Sequence, residues 1–127
     1  MATQRQEKVN HALKVEISDI LLRELKDPRM GFVTITDAEV SADMRYAKVY
    51  FTVLGSAHDR KINTEMLRHS AGFIRAELGN RLKMRNVPAL DFRYDESVEK
   101  GIKMHELLTK LGKEEDERAE KYGKDEK

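Results

Sequence analysis

Residues 58–88 constrain this chain more than any other stretch. Ile62, Met66, Leu67, Phe73, Ile74, Leu78 and Leu82 recur at helical spacing, but Ser70-Ala71-Gly72 interrupts the pattern in its middle. A glycine inside a helix costs about 1 kcal/mol relative to alanine, so the interruption predicts a bend between two helical rods. Arg60, Lys61, Arg68, Arg75, Arg81, Lys83 and Arg85 gather around it. A bent helix with small residues at the bend can offer backbone amides and cations to an anionic chain, which makes RNA the first ligand to consider.

The net charge of +1 over 127 residues conceals this concentration. Residues 60–93 carry 8 bases and 3 acids, a local balance of +5, while residues 94–127 carry 8 bases and 11 acids. Overall charge is therefore a poor guide to partners. Cysteine is absent, which excludes disulfides and thiolate zinc sites and suits a reducing cytoplasm. No apolar run approaches the length of about 18 residues that spans a bilayer, and the N-terminal stretch has no signal core, so a cytoplasmic protein is expected.

The remaining elements follow from periodicity. Val9, Leu13, Ile17, Ile20, Leu21 and Leu25 form one apolar stripe on a helix expected over Gln4–Lys26, opened by a Thr3/Gln6 capping box and stopped by Asp27-Pro28. Phe32–Val40 and Tyr46–Leu54 read as strands joined in an antiparallel hairpin; Ala47, Val49, Phe51 and Val53 alternate toward a core. A helix begins near Asp59 and, after the break, ends at Asn86-Val87-Pro88, with Gly79 a second weak point. Ala89–Tyr94 is the third strand, and Ser97 caps a final short helix. From Gly112 the chain is almost wholly charged and is expected to be disordered or frayed. The predicted organisation is an α+β domain over residues 1–111, with helices on one sheet face, and a tail over 112–127.

Catalytic signals are weak. His11, His58, His69 and His105 do not share metal-ligand spacing, although His69 adjoins the bend. Asp37 and Glu39 share a strand face but read as a solvated pair. No nucleophile elbow, phosphate loop or HExxH motif occurs, so neither an enzyme nor a metal or other cofactor is expected. The arginines have structural alternatives: Arg68 and Arg75 can pair with Glu65 and Glu77, and Arg81, Lys83 and Arg85 can complement a helix dipole. Tyr46, Lys48 and Tyr50 can stack bases or simply form the outer face of a sheet.

Particular residues carry a resemblance. Leu25-Lys26-Asp27-Pro28-Arg29 with Gly31, then Val40-Ser41, Tyr46-Ala47-Lys48-Val49-Tyr50, Gly72-Phe73-Ile74-Arg75 and Leu82-Lys83-Met84-Arg85-Asn86-Val87-Pro88 occur in one order over roughly residues 5–110. In that order and spacing the chain resembles the ribosome-binding factor A family. The resemblance implies a KH-like domain of the second type, a three-stranded sheet with helices packed on one face. A helix-kink-helix stands where other KH domains have a GxxG loop. The family's Ala-x-Gly signature is matched by Ser70-Ala71-Gly72, with serine first, whose hydroxyl can bond a freed carbonyl. The implied function is late maturation of the small ribosomal subunit and support of rRNA end processing, with a role in growth in the cold. The implied partners are the immature subunit and its rRNA, with no small-molecule substrate and no membrane, bound by a monomer. Arg68, Arg75, Arg81, Lys83 and Arg85 are expected to neutralise phosphates, while Ser70, Ala71 and Gly72 let the RNA backbone approach. A general single-strand nucleic-acid binder and a protein-interaction domain are the alternatives.

Overall fold

Helix α1 (Gln4–Arg23) starts where its sequence says it should. The Thr3 hydroxyl accepts the Gln6 amide at 3.1 Å, and the Gln6 side chain accepts the Thr3 amide at 2.8 Å. The helix stops before the expected Lys26. The Glu24 and Leu25 amides both turn back to the Ile20 carbonyl, and Asp27–Met30 closes into a turn through the Met30 amide and the Asp27 carbonyl. Asp27 locks that turn by accepting the Arg29 amide and guanidinium at 2.7–3.0 Å. The Arg29 side chain thereby holds the Asp27 carboxyl down at about 2.

The computed structural model describes residues 2–122, and the side chains of these except 98, 99 and 113–122. After α1 come β1 (Phe32–Val40), β2 (Tyr46–Leu54), α2 (Ala57–His69), α3 (Ala71–Leu82), β3 (Ala89–Tyr94) and α4 (Glu96–Tyr122). The sheet order is β1-β2-β3. The β1–β2 hairpin is antiparallel, and β3 lies parallel to β2 after the α2–α3 crossover. This is the KH-like arrangement of the second type. A bulge at Thr36 shifts the β1 register between Ile35 and Asp37, so Ile35 and Ala38 both face the core, and the Thr36 hydroxyl donates to Asp95 at 2.6 Å.

The core lies between the sheet and the first three helices. Leu13, Ile17 and Ile20 from α1 meet Val49 and Phe51 from β2, Met66 and Leu67 from α2, Ile74 and Leu78 from α3, and Phe92 from β3, all fully buried. Helix α2 begins two residues before Asp59, because Ser56 caps it and Asp59 is the third residue of the box, accepting the Ser56 amide at 2.8 Å. Asn63, buried on α2, accepts the Gly31 amide at 2.9 Å and donates to the Asp59 carbonyl, tying the 27–31 turn to the helix. Phe73 departs from the expected apolar stripe and is 45% exposed.

Residues 1–95 form one unit and α4 belongs to a second. Helix α4 does not end at Leu111, where the charged tail was expected to begin. The stretch 113–122 is rich in strong helix formers. Local propensity therefore continues the helix without an apolar face. Residues 123–127 of that predicted tail lie outside the described residues.

Removing the Asn63 side chain should strand the Gly31 amide. Asn63→Ala is expected to lower stability by about 1–3 kcal/mol in urea unfolding without changing the far-ultraviolet spectrum of the folded chain.

Candidate nucleic-acid interface

The expected bend is present as a single residue. Ser70 ends α2 and opens α3 with φ −89° and ψ 0°. Its amide still reaches the Met66 carbonyl at 2.9 Å, and its carbonyl accepts the Ile74 amide at 3.0 Å. The three amides between, those of Ala71, Gly72 and Phe73, have no acceptor among the described residues. They are the open donors of a helix start, aligned with the positive end of the α3 dipole. The triplet is not uniform. Ser70 is buried, Ala71 is half-buried and only Gly72 is exposed. The Ser70 hydroxyl bonds no carbonyl among the described residues, contrary to expectation.

Gly72, Ala76 and Gly79 lie on one face of α3 with Arg75. The segment after the helix folds back over this face. It can do so because Lys83 takes the left-handed conformation, φ 52° and ψ 34°, and turns the chain. The Arg75 guanidinium donates to the Val87 carbonyl at 2.7 and 3.0 Å, fixing the returning strand. Gly79 admits Val87, whose methyl would lie 3.4 Å from any added Cβ. The result is a shallow groove of about 560 Å³ that brings Gly72, Arg75 and Arg85 together.

The other arginines part company. Arg68 is exposed beside the bend with no partner among the described residues; neither it nor Arg75 pairs with Glu65 or Glu77. Arg81 is half-buried and turned toward α1. Its side chain is 22% exposed and bonds Asp19 at 2.6 Å and Glu16 at 3.2 Å, with the Glu24 carboxylate 3.6 Å away, all on or at the end of α1. Six residues separate Arg75 from Arg81, which places them about 120° apart around the helix. Arg81 therefore joins α3 to α1, its charge met by three carboxylates. Lys83 is exposed, but α3 has 12 residues and sets it about 18 Å from the bend.

Two features were missed in the sequence. Arg5 and Arg45, distant in sequence from the cationic stretch, share a second groove with Arg75 and Arg85. Phe73 exposes an aromatic ring next to the unpaired amides; its only signal was its place after Gly72. The sheet's open face is a poorer candidate. Lys48 lies between Glu39 and Asp91 in register, and Tyr50 between Asp37 and Arg93, with Arg93 bonded to Asp91 at 2.8 Å. Acids there outnumber bases. Among the described residues no group of three or more His, Asp or Glu is placed to hold a metal, and no helix is long and apolar enough to cross a membrane.

A model of the ribosome-binding factor A family matches residues 5–108. The chain is 47% identical over 116 residues to ribosome-binding factor A of Halothermothrix orenii, covering 91% of this chain and 95% of that one. A Thermotoga maritima protein assigned to the same factor, solved in solution, superposes with a TM-score of 0.65 at 30% identity, covering 73% of this chain and 89% of that one. A homology model of the Thermus thermophilus ribosome-binding factor A, as fitted into a cryo-electron microscopy map of its 30S complex, superposes with a TM-score of 0.55 at 23% identity, covering 76% of this chain and 97% of that one.

Two outcomes separate structural from surface roles. The Arg81 hydrogen bond holds the Asp19 carboxyl below its ordinary 3.8. A depressed carboxyl pKa favours the folded state above 3.8 and ceases to do so as pH falls through the folded value. Arg81→Met should therefore lower the urea midpoint at neutral pH, and its deficit relative to wild type should shrink on acidification below that range. A Cβ at Gly72 meets nothing within 4 Å, so Gly72→Ala should leave the fold intact and stabilise it by about 0.4–1 kcal/mol, read from the same unfolding curves.

Proposed function

This chain belongs to the ribosome-binding factor A family, and from that membership we propose that it is a maturation factor that binds the immature small ribosomal subunit through its rRNA. It forms no covalent bond with its target. It acts in the cytoplasm as a monomer, supports late assembly and rRNA end processing, and matters most in the cold, where wrong RNA pairings last longer. Occupying one rRNA arrangement shifts the population toward it by differential affinity.

The observation that carries this reading is the juxtaposition at the bend. Three unpaired amides stand beside Arg68 and beside a groove holding Gly72, Arg75 and Arg85. A phosphate can take hydrogen bonds from such amides and bidentate bonds from a guanidinium. Gly72 leaves room for the backbone to approach, and the exposed Phe73 ring can stack an unpaired base. Lys83 adds charge at the far end of α3. Ser70 and Ala71 contribute by shaping the bend, Ser70 from within. The Thermus thermophilus factor fitted into a map of a 30S complex supports the choice of particle.

Sucrose-gradient sedimentation of cell extract tests the reading: the protein should travel with free small subunits and be missing from translating ribosomes. Equal binding to bulk RNA would sink it. With purified precursor subunits, each phosphate contact contributes about 0.7–0.9 to the slope of log K against log salt, so Arg68→Ala with Arg85→Ala should flatten that slope by about 1.5. Gly72→Ala should bind less tightly even though it folds at least as well.

A further inference from the structure

We propose that the groove between the start of α1, the β1–β2 loop and the segment after α3 binds a short run of single-stranded RNA. This rests on the reading above and gives the RNA a path away from the bend. The groove encloses about 800 Å³ and is lined by Arg5, Arg45, Arg75 and Arg85. Arg5, Arg45 and Arg85 are exposed, and their side chains make no hydrogen bond or ion pair within 4 Å among the described residues, although Arg45 feels the charge of Asp43. Arg75 is engaged by a neutral carbonyl, so its charge is not cancelled. The one carboxylate in the lining, Asp43, accepts the Ser41 hydroxyl at 2.6 Å and the Arg45 amide at 3.1 Å. Asp43 keeps its charge and feels that of Arg45, so the lining sets four guanidinium groups against one carboxylate, a net balance of +3.

Stability alone does not account for this arrangement. Arg5 lies in the first turn of α1, where the helix dipole disfavours a cation. Met44 holds a left-handed φ of 61° in the loop that presents Arg45. The Arg45 backbone is fixed from both sides, because its carbonyl accepts the Ala89 amide at 2.8 Å. The Arg45 backbone and the Arg75 guanidinium are therefore set in place before any ligand arrives, which lowers part of the ordering cost of binding.

The walls choose among anions. Val9, Met44, Met84 and Val87 line the same groove. Apolar surface between guanidinium groups suits unstacked bases joined by phosphates. A volume in the range of small-ligand sites has room for a few nucleotides. Arg75, Arg85, Met84 and Val87 also line the groove beside Gly72, so a strand leaving the bend passes directly into this one.

Fluorescence anisotropy with the full chain tests this, using a labelled single-stranded RNA of about eight nucleotides, a hairpin of equal stem length, and polyglutamate as competitor. The wild type should bind the single strand in preference to the hairpin, and polyglutamate should compete poorly. Arg5→Ala with Arg45→Ala should raise Kd several-fold and flatten the salt slope by about 1.4. Arg5→Lys with Arg45→Lys should restore the slope, which a folding defect would not do. A wild type that ignores the single strand, prefers the hairpin, or is displaced equally well by polyglutamate would overturn the proposal, as would an unchanged slope in the alanine variant. If precursor subunits still bind and Arg68→Ala still weakens them, only the groove falls. If the wild type does not bind subunits at all, the functional reading falls instead.

Discussion

The structure turns on how one residue, Ser70, ends one helix and opens the next, interrupting the hydrogen-bond ladder for three amides. Ser70 donates back to Met66 and accepts forward from Ile74, so one residue closes α2 and starts α3. The change of axis nevertheless leaves the amides of Ala71, Gly72 and Phe73 unpaired. It also lets both rods bury apolar residues on one small sheet: Met66 and Leu67 before the bend, Ile74 and Leu78 after it. A straight helix of that length would have carried one of these pairs off the sheet. The open donors are thus a by-product of satisfying the core.

The same geometry assigns different work to side chains of one type. Arg75 and Arg81 belong to one helix, yet one clamps the returning Val87 carbonyl and the other is held by the carboxylates of Asp19, Glu16 and Glu24. A guanidinium bonded to a carbonyl keeps its full charge for a second anion. One surrounded by carboxylates has spent its field locally. Arg85 becomes part of the surface only because Lys83 turns left-handed and the Arg75 clamp lays the following residues along α3.

Much of the fold was legible. The α1 stripe, the alternation in β2 and the third strand were read from periods of three to four and of two, and the break at Ser70 from its small residues. Element ends were less so. Helix α1 stops early because the Asp27–Arg29 turn competes for its last residues, and α2 starts early because Asp59 serves the Ser56 cap. Helix α4 outruns its apolar residues because its charged formers sustain it. The bulge at Thr36 has no sequence mark, since a one-residue shift in pairing changes nothing in composition.

What the sequence determined by itself was local: which segments are helix or strand, where the long helix must bend, and that the middle of the chain is cationic. Those follow from propensity, periodicity and charge counts, which depend on neighbours along the chain. Which cations remain available was decided only by the tertiary structure. That depends on partners far apart in sequence, as when α1 takes up Arg81 while Arg5 and Arg45 come to face Arg85 across a shared groove. Electrostatic pairing acts through space over a few ångströms, and sequence separation carries no record of it.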